Sequence, residues 1–180
     1  MWTKDKLSQG VDYWSIYPLQ YEYIIIISLT VTLRPHQERA LDTMKTNPKG
    51  QIIVPTGGGK TMVMIEHARY MFCQNAVPKT IVVVAPRILL ANQLSSEFLE
   101  QNLDGNYNVG IDVLHVHSGE THHYSTTKAS RISVWSTKKC VSNQIIFTTY
   151  HSLHRIQESD IHVDTIYFDE AHNAVQKNFI

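Results

Sequence analysis

A chain of 180 residues, 43% hydrophobic and 18% charged, has the make-up of a globular protein and the length to bury a real core. Its 16 basic and 16 acidic residues leave a formal net charge of +0, which excludes a global field that would draw in nucleic acid, a membrane surface or acidic ligands. Two cysteines, Cys73 and Cys140, stand in unrelated contexts, so neither a disulfide framework nor a cysteine-based zinc site follows, and a reducing cytoplasm is the expected location.

Residues 1–22 carry Trp2, Tyr13, Trp14, Tyr17 and Tyr21 without periodicity and are set apart as an N-terminal extension; residues 23–180 are read as one domain. Lys4 and Lys6 are followed by Asp12 and Glu22 before any apolar run, which is the wrong order for a targeting peptide. The apolar run 23–31 is far short of the roughly 18 residues of a membrane span, so no membrane partner is expected. Its second half alternates Leu29, Val31 and Leu33 with Thr30 and Thr32, which predicts a strand over 24–33. A helix follows: Pro35 suits a first turn, Gln37, Ala40, Leu41 and Met44 share a face, and Asn47-Pro48-Lys49-Gly50 stops it.

The next stretch, QIIVPTGGGKT (51–61), sets a β-branched strand candidate (Ile52, Ile53, Val54) before three glycines, Lys60 and Thr61, and a helical run over 62–73 comes next. Strand, glycine turn, Lys-Thr and helix are the parts of a phosphate-binding loop. Glycines let backbone N–H groups curl inward with no Cβ in the way, and the following helix points its dipole at the same anion. Lys60 is expected to bridge the outer phosphates and Thr61 to give its hydroxyl to Mg²⁺. The general pattern wants glycine at 54, where this chain has Val.

Further along, TIVVVA (80–85) reads as a buried parallel strand, with Pro86 and Arg87 after it and a helix over 88–101 on Leu90, Leu94 and Phe98. Strands are predicted over 109–116, 144–147 and 163–168, the middle one followed by the polar turn Thr148-Thr149-Tyr150. Alternating strands and helices predict an α/β fold with a parallel sheet covered on both faces. The last strand runs into Asp169-Glu170-Ala171-His172. Ligands of such sheets collect at the carboxyl ends of strands, so the loop and the acidic pair belong together. Asp169 can hold Mg²⁺ through water, and Glu170 can orient and deprotonate an attacking water.

PTGGGKT followed by DEAH resembles the superfamily 2 helicases and translocases, whose first RecA-like domain carries both signatures. Their loop is commonly Thr-Gly-x-Gly-Lys-Thr, which accommodates Val54. The resemblance covers about residues 29–180. It implies a RecA-like P-loop fold, ATP and Mg²⁺ as cofactors, and Arg34, Gln37, Thr56, Gly57, Gly58, Gly59, Lys60 and Thr61 as nucleotide-binding residues, with Gln37 reading the adenine edge. It also implies nucleic-acid contacts at Pro86, Arg87, Ser118, Gly119, Thr148, Thr149 and Tyr150, and makes His172 a coupling residue. Leu33-Arg34-Pro35-His36-Gln37 is most similar to the group of type III restriction subunits and UvrB-like helicases, which makes DNA the expected partner ahead of RNA. Complete motors of this kind add a second RecA-like lobe bearing arginine fingers, so this chain is expected to be a first lobe that binds ATP weakly, hydrolyses it poorly and does not unwind alone.

Two stretches stand beside that reading. Residues 121–157 hold no Asp or Glu but do hold Lys128, Arg131, Lys138, Lys139 and Arg155 among Tyr124, Trp135 and Tyr150, a mixture suited to a phosphate backbone and equally to a solvated basic face over core aromatics. His115, His117, His122 and His123 crowd together, but without the spacing of a recognised metal site. A small-molecule kinase and a non-catalytic module on the same fold are the competing classes; intact Lys60, Thr61, Asp169 and Glu170 speak against the second.

Overall fold

The computed structural model describes residues 32–74, 77–100 and 110–172. By its internal contacts the chain divides into two compact units, residues 1–32 and 33–180, and the described part belongs almost wholly to the second. The strand expected over 24–33 and the aromatic extension lie outside the described residues, apart from an irregular 32–34.

Among the described residues five helices and four strands follow one another: α1 (Pro35–Thr46), α2 (Lys60–Cys73), β1 (Thr80–Ala85), α3 (Ile88–Glu100), β2 (Ile111–Val116), α4 (Ala129–Lys138), β3 (Asn143–Thr149), α5 (Leu153–Glu158) and β4 (Thr165–Phe168). The strands make one sheet in the order β2-β3-β1-β4, all parallel. β1 and β3 are central and buried on both faces, which is why each is a continuous apolar or β-branched run. After β1 the chain crosses over β3 to reach β2, then turns back through β3 to β4. Reversing direction while keeping one crossover hand puts the connecting helices on opposite faces. Accordingly α2 and α3 supply Ile65, Ala68, Phe72, Leu94 and Phe98 to one core, with Ile81, Val83, Ile145, Phe147 and Tyr167 beneath them. Helices α4 and α5 supply Ile132, Trp135 and Ile156 to the other, over Val82, Val84, Leu114 and Ile146. Phe98 meets Phe147 edge to face with centroids 5.6 Å apart. Full burial of such side chains contributes roughly 1.5–3 kcal/mol each.

The amino ends of the strands are held by polar clamps. Asp164 accepts from Lys79 Nζ and from the Thr80 N–H, both at 2.8 Å, and Asn143 accepts from the Lys79 N–H at 2.9 Å. The opposite, carboxyl edge is left to the connecting loops.

Two expectations need correction. Residues 51–55 form no strand: Ile53 is 86% exposed, and no ladder engages the segment among the described residues. β-branching favours an extended chain, but a strand exists only where a neighbour takes its N–H and C=O groups. Thr148 and Thr149 are the last residues of β3 and are buried, paired in register with Val84 and Ala85, rather than part of a polar turn. The Thr148 hydroxyl is satisfied inside the sheet by the Val116 carbonyl at 2.8 Å, so its polarity carries no information about exposure. Trp135 is 9% exposed and belongs to the core, while Lys128, Arg131, Lys138, Lys139 and Arg155 are exposed.

Candidate nucleotide site

The loop between residue 55 and α2 is shaped by its glycines. Gly57 and Gly59 have φ of +76° and +78°, a region that side chains strain to enter. Gly58 donates its N–H to the Pro55 carbonyl at 2.9 Å, and a Cβ on it would collide with Val54 and with that carbonyl. Gly59 caps α2 in the left-handed conformation with no side-chain cap bond, so the first N–H groups of the helix remain directed at the loop's hollow.

The first helix supports this loop from behind. Gln37 is buried; its Oε1 accepts the Arg34 N–H at 2.8 Å and its Nε2 donates to the Gly59 carbonyl at 3.2 Å. His36 Nε2 lies 2.9 Å from the Gly58 carbonyl, and since a carbonyl only accepts, that nitrogen carries the proton. A Cβ at Gly59 would run into the Gln37 amide. Gly59→Ala therefore combines a strained φ with a clash, and is expected to weaken nucleotide binding at least tenfold, about 1.4 kcal/mol, in a fluorescent ATP-analogue titration.

The acidic pair follows β4 and meets the loop across 110 positions of sequence. Lys60 Nζ donates to Glu170 Oε1 at 2.7 Å, and His172 Nδ1 stands 3.4 Å from Glu170 Oε2. The bond to Glu170 holds the Lys60 ammonium above its ordinary pKa, and the same bond holds the Glu170 carboxyl below its own. Asp169 goes the other way: half-buried beside the negative Glu170, its carboxyl is pushed up. That pressure is what a bound cation would relieve. A second tie runs deeper between the same elements, where His67 Nδ1 of α2 lies 2.7 Å from the Tyr167 hydroxyl of β4. Both residues are buried, and burial lowers the His67 pKa. Loop helix and acidic strand are thus fixed to each other at two heights.

The proposed nucleic-acid residues divide. Arg87 and Ser118 are exposed, Pro86 and Gly119 partly so, and Gly119 is seated on Ile88 at the start of α3, which brings the two pairs together at the carboxyl ends of β1 and β2. Thr148, Thr149 and Tyr150 are buried, so their side chains do not face solvent, which a direct contact to nucleic acid requires.

Behind Ser118-Gly119 runs a relay that sequence spacing did not reveal. The Gly119 N–H donates to His117 Nδ1 at 3.3 Å, His117 Nε2 is 3.0 Å from His115 Nδ1, and His115 Nε2 is 3.0 Å from Ser95 Oγ. Because the chain starts at a backbone N–H, each Nδ1 accepts, each Nε2 carries its proton, and both rings are neutral. His115 stacks on His123 with 11° between planes. Among the described residues no group of three or more His, Cys, Asp or Glu side chains is arranged to hold a metal.

Residues 30–180 match the family described as type III restriction enzyme, res subunit. The chain belongs to that family. Its fold is similar to that of a nuclease-deletion mutant of the Type ISP restriction-modification enzyme LlaGI in complex with a DNA substrate mimic, at 25% identity and TM-score 0.66 over 81% of this chain and 16% of that one. It is also similar to the ATP-dependent Type ISP restriction-modification enzyme LlaBIII bound to DNA, at 20% identity and TM-score 0.62 over 80% of this chain and 11% of that one. This member of the res-subunit family therefore spans a small part of either enzyme. No curated protein sequence matches it. No helix among its described residues is long and apolar enough to cross a membrane.

Proposed function

We propose that this chain is the ATP-binding first lobe of an ATP-dependent DNA helicase or translocase. The observation that carries the proposal is the meeting of Lys60 and Glu170 at 2.7 Å, since it joins a glycine-built anion loop to an acidic pair at one edge of a parallel sheet. In this reading the loop N–H groups and Lys60 take the β- and γ-phosphates. The Thr61 hydroxyl directly, and the Asp169 carboxylate through water, would hold Mg²⁺ with the hard oxygen donors it prefers, and the ion would supply neutralisation of phosphate charge. Glu170 accepts the proton of the water whose oxygen bonds the terminal phosphorus as the bond to the ADP oxygen breaks. Gln37 is assigned to the adenine edge once nucleotide releases its amide from Gly59, and Arg34 to the same nucleotide. Rapid turnover is assigned to a form in which a second lobe adds an arginine.

DNA is the preferred partner because both similar enzymes were captured on DNA or a DNA mimic. Exposed Arg87, Ser118, Lys128 and Arg131 offer the phosphate contacts, whereas Lys139 and Arg155 are engaged by Asp112 and Glu158. ATP hydrolysis by the cellular polypeptide that carries this sequence should rise at least tenfold with added DNA and vanish in Lys60→Ala. Hydrolysis indifferent to DNA and RNA alike would remove the motor reading and favour a P-loop enzyme of another kind.

A further inference from the structure

Tyr150 closes the carboxyl edge of the sheet from within. It follows β3 directly, and its N–H donates to the Ala85 carbonyl at the end of β1, 3.2 Å away. Its ring lies 18° from the plane of Phe168 in β4 with centroids 6.0 Å apart, and its hydroxyl donates to the Asp169 carbonyl at 2.8 Å. One residue thus ties together the ends of three neighbouring strands. It is 3% exposed, and burial together with the nearby carboxylates pushes its phenol up to about 12, so the hydroxyl keeps its proton at any working pH.

The turn it touches needs holding. Glu170 has φ of +50°, a conformation that costs a non-glycine residue roughly 1–3 kcal/mol and persists only where its surroundings enforce it. Asp169, the residue before it, is fixed on both sides of its backbone: its N–H donates to the Val84 carbonyl at 2.9 Å, and its own carbonyl takes the Tyr150 hydroxyl. That carbonyl belongs to the peptide group leading into Glu170, so its orientation sets where the Glu170 side chain starts.

We propose that Tyr150 is a positioning residue for nucleotide hydrolysis, its hydroxyl fixing the Asp169 carbonyl and through it the left-handed turn that aims Glu170. The proposal rests on the reading of 56–61 and 169–170 as an ATP site, and replaces a nucleic-acid contact as the role of this side chain. Tyr150→Phe removes only the hydroxyl and leaves the ring on Phe168. In the cellular polypeptide it should lower kcat for ATP about tenfold, near the full worth of one hydrogen bond, while KM for ATP and DNA affinity stay within about twofold. In the 180-residue chain, amide exchange at 169–172 should quicken about tenfold with β2 unchanged.

A kcat within twofold of wild type overturns the proposal. So does a loss of DNA affinity equal to the loss of kcat, which would make Tyr150 a contact after all, and so does faster exchange across the whole sheet, which would mark lost packing. Lys60→Ala measured alongside separates the two levels. If it is inactive while Tyr150→Phe runs at full speed, only the proposal falls; if Lys60→Ala hydrolyses like wild type, the ATP site itself falls.

Discussion

Glu170→Gln is expected to slow ATP hydrolysis by about 10²–10⁴, the usual contribution of a positioned general base, while tightening ATP binding. The two effects have separate causes. Turnover falls because an amide cannot take the proton of the attacking water. Binding tightens because the Lys60 ammonium now spends its charge on Glu170 at 2.7 Å, and a phosphate must displace that carboxylate before it can be held. Both side chains are about one-third exposed, so solvent screens the pair and the gain in affinity should be modest, about threefold to tenfold. Single-turnover hydrolysis and equilibrium titration of the same variant check the two signs independently. A Gln variant that binds ATP more weakly than wild type would contradict the competition between carboxylate and phosphate.

Acid should unfold this domain earlier than carboxylate titration alone would allow. His115 is 1% exposed and neutral within the Ser95–His115–His117–Gly119 relay, and burial, with the neighbouring His117 and His123, takes its pKa from 6.5 down to about 4. The unfolded chain therefore binds this proton first. Stability is complete above pH 6.5 and is lost progressively as pH falls toward 4, by roughly 3 kcal/mol from His115 alone. His117 and His67, both lowered by burial, act in the same direction as pH falls below 6.5. Denaturant midpoints measured at pH 7.5 and pH 5 should show the fall, and the His115 imidazole should remain unprotonated down to pH 5 by NMR. A His115 that titrates near 6.5 would mean that the relay does not form.

The site was legible to the extent that its chemistry is local. Glycines at 57–59, Lys60-Thr61 and Asp169-Glu170 are short runs whose backbone and charge demands are written in consecutive residues, and the two runs meet where Lys60 reaches Glu170 after β4. Contacts that depend on distant partners were not legible. His67 with Tyr167, His115 with Ser95 and Tyr150 with the Asp169 carbonyl join residues 100, 20 and 19 positions apart, and no spacing rule announces them. Helix α4 was missed because its apolar face is only Ile132 and Trp135 in a basic, Ser-rich run. Local character also misled. Ile52, Ile53 and Val54 have every β-forming property but no neighbour in the sheet, and Thr148-Thr149-Tyr150 is polar in composition while lying wholly inside the fold. In each case tertiary pairing, which a single sequence does not display, outweighed the propensity of the segment.

The central claim is that residues 56–61 and the Asp169-Glu170 pair form one Mg²⁺-dependent nucleotide site within this chain. Calorimetric titration of the 180-residue chain with ATP, with and without Mg²⁺, for wild type and Lys60→Ala, tests it most directly. Saturable one-to-one binding is expected, weakened at least tenfold without Mg²⁺ and lost in Lys60→Ala. Binding of equal strength in the variant, or none in the wild type at millimolar ATP, would contradict it.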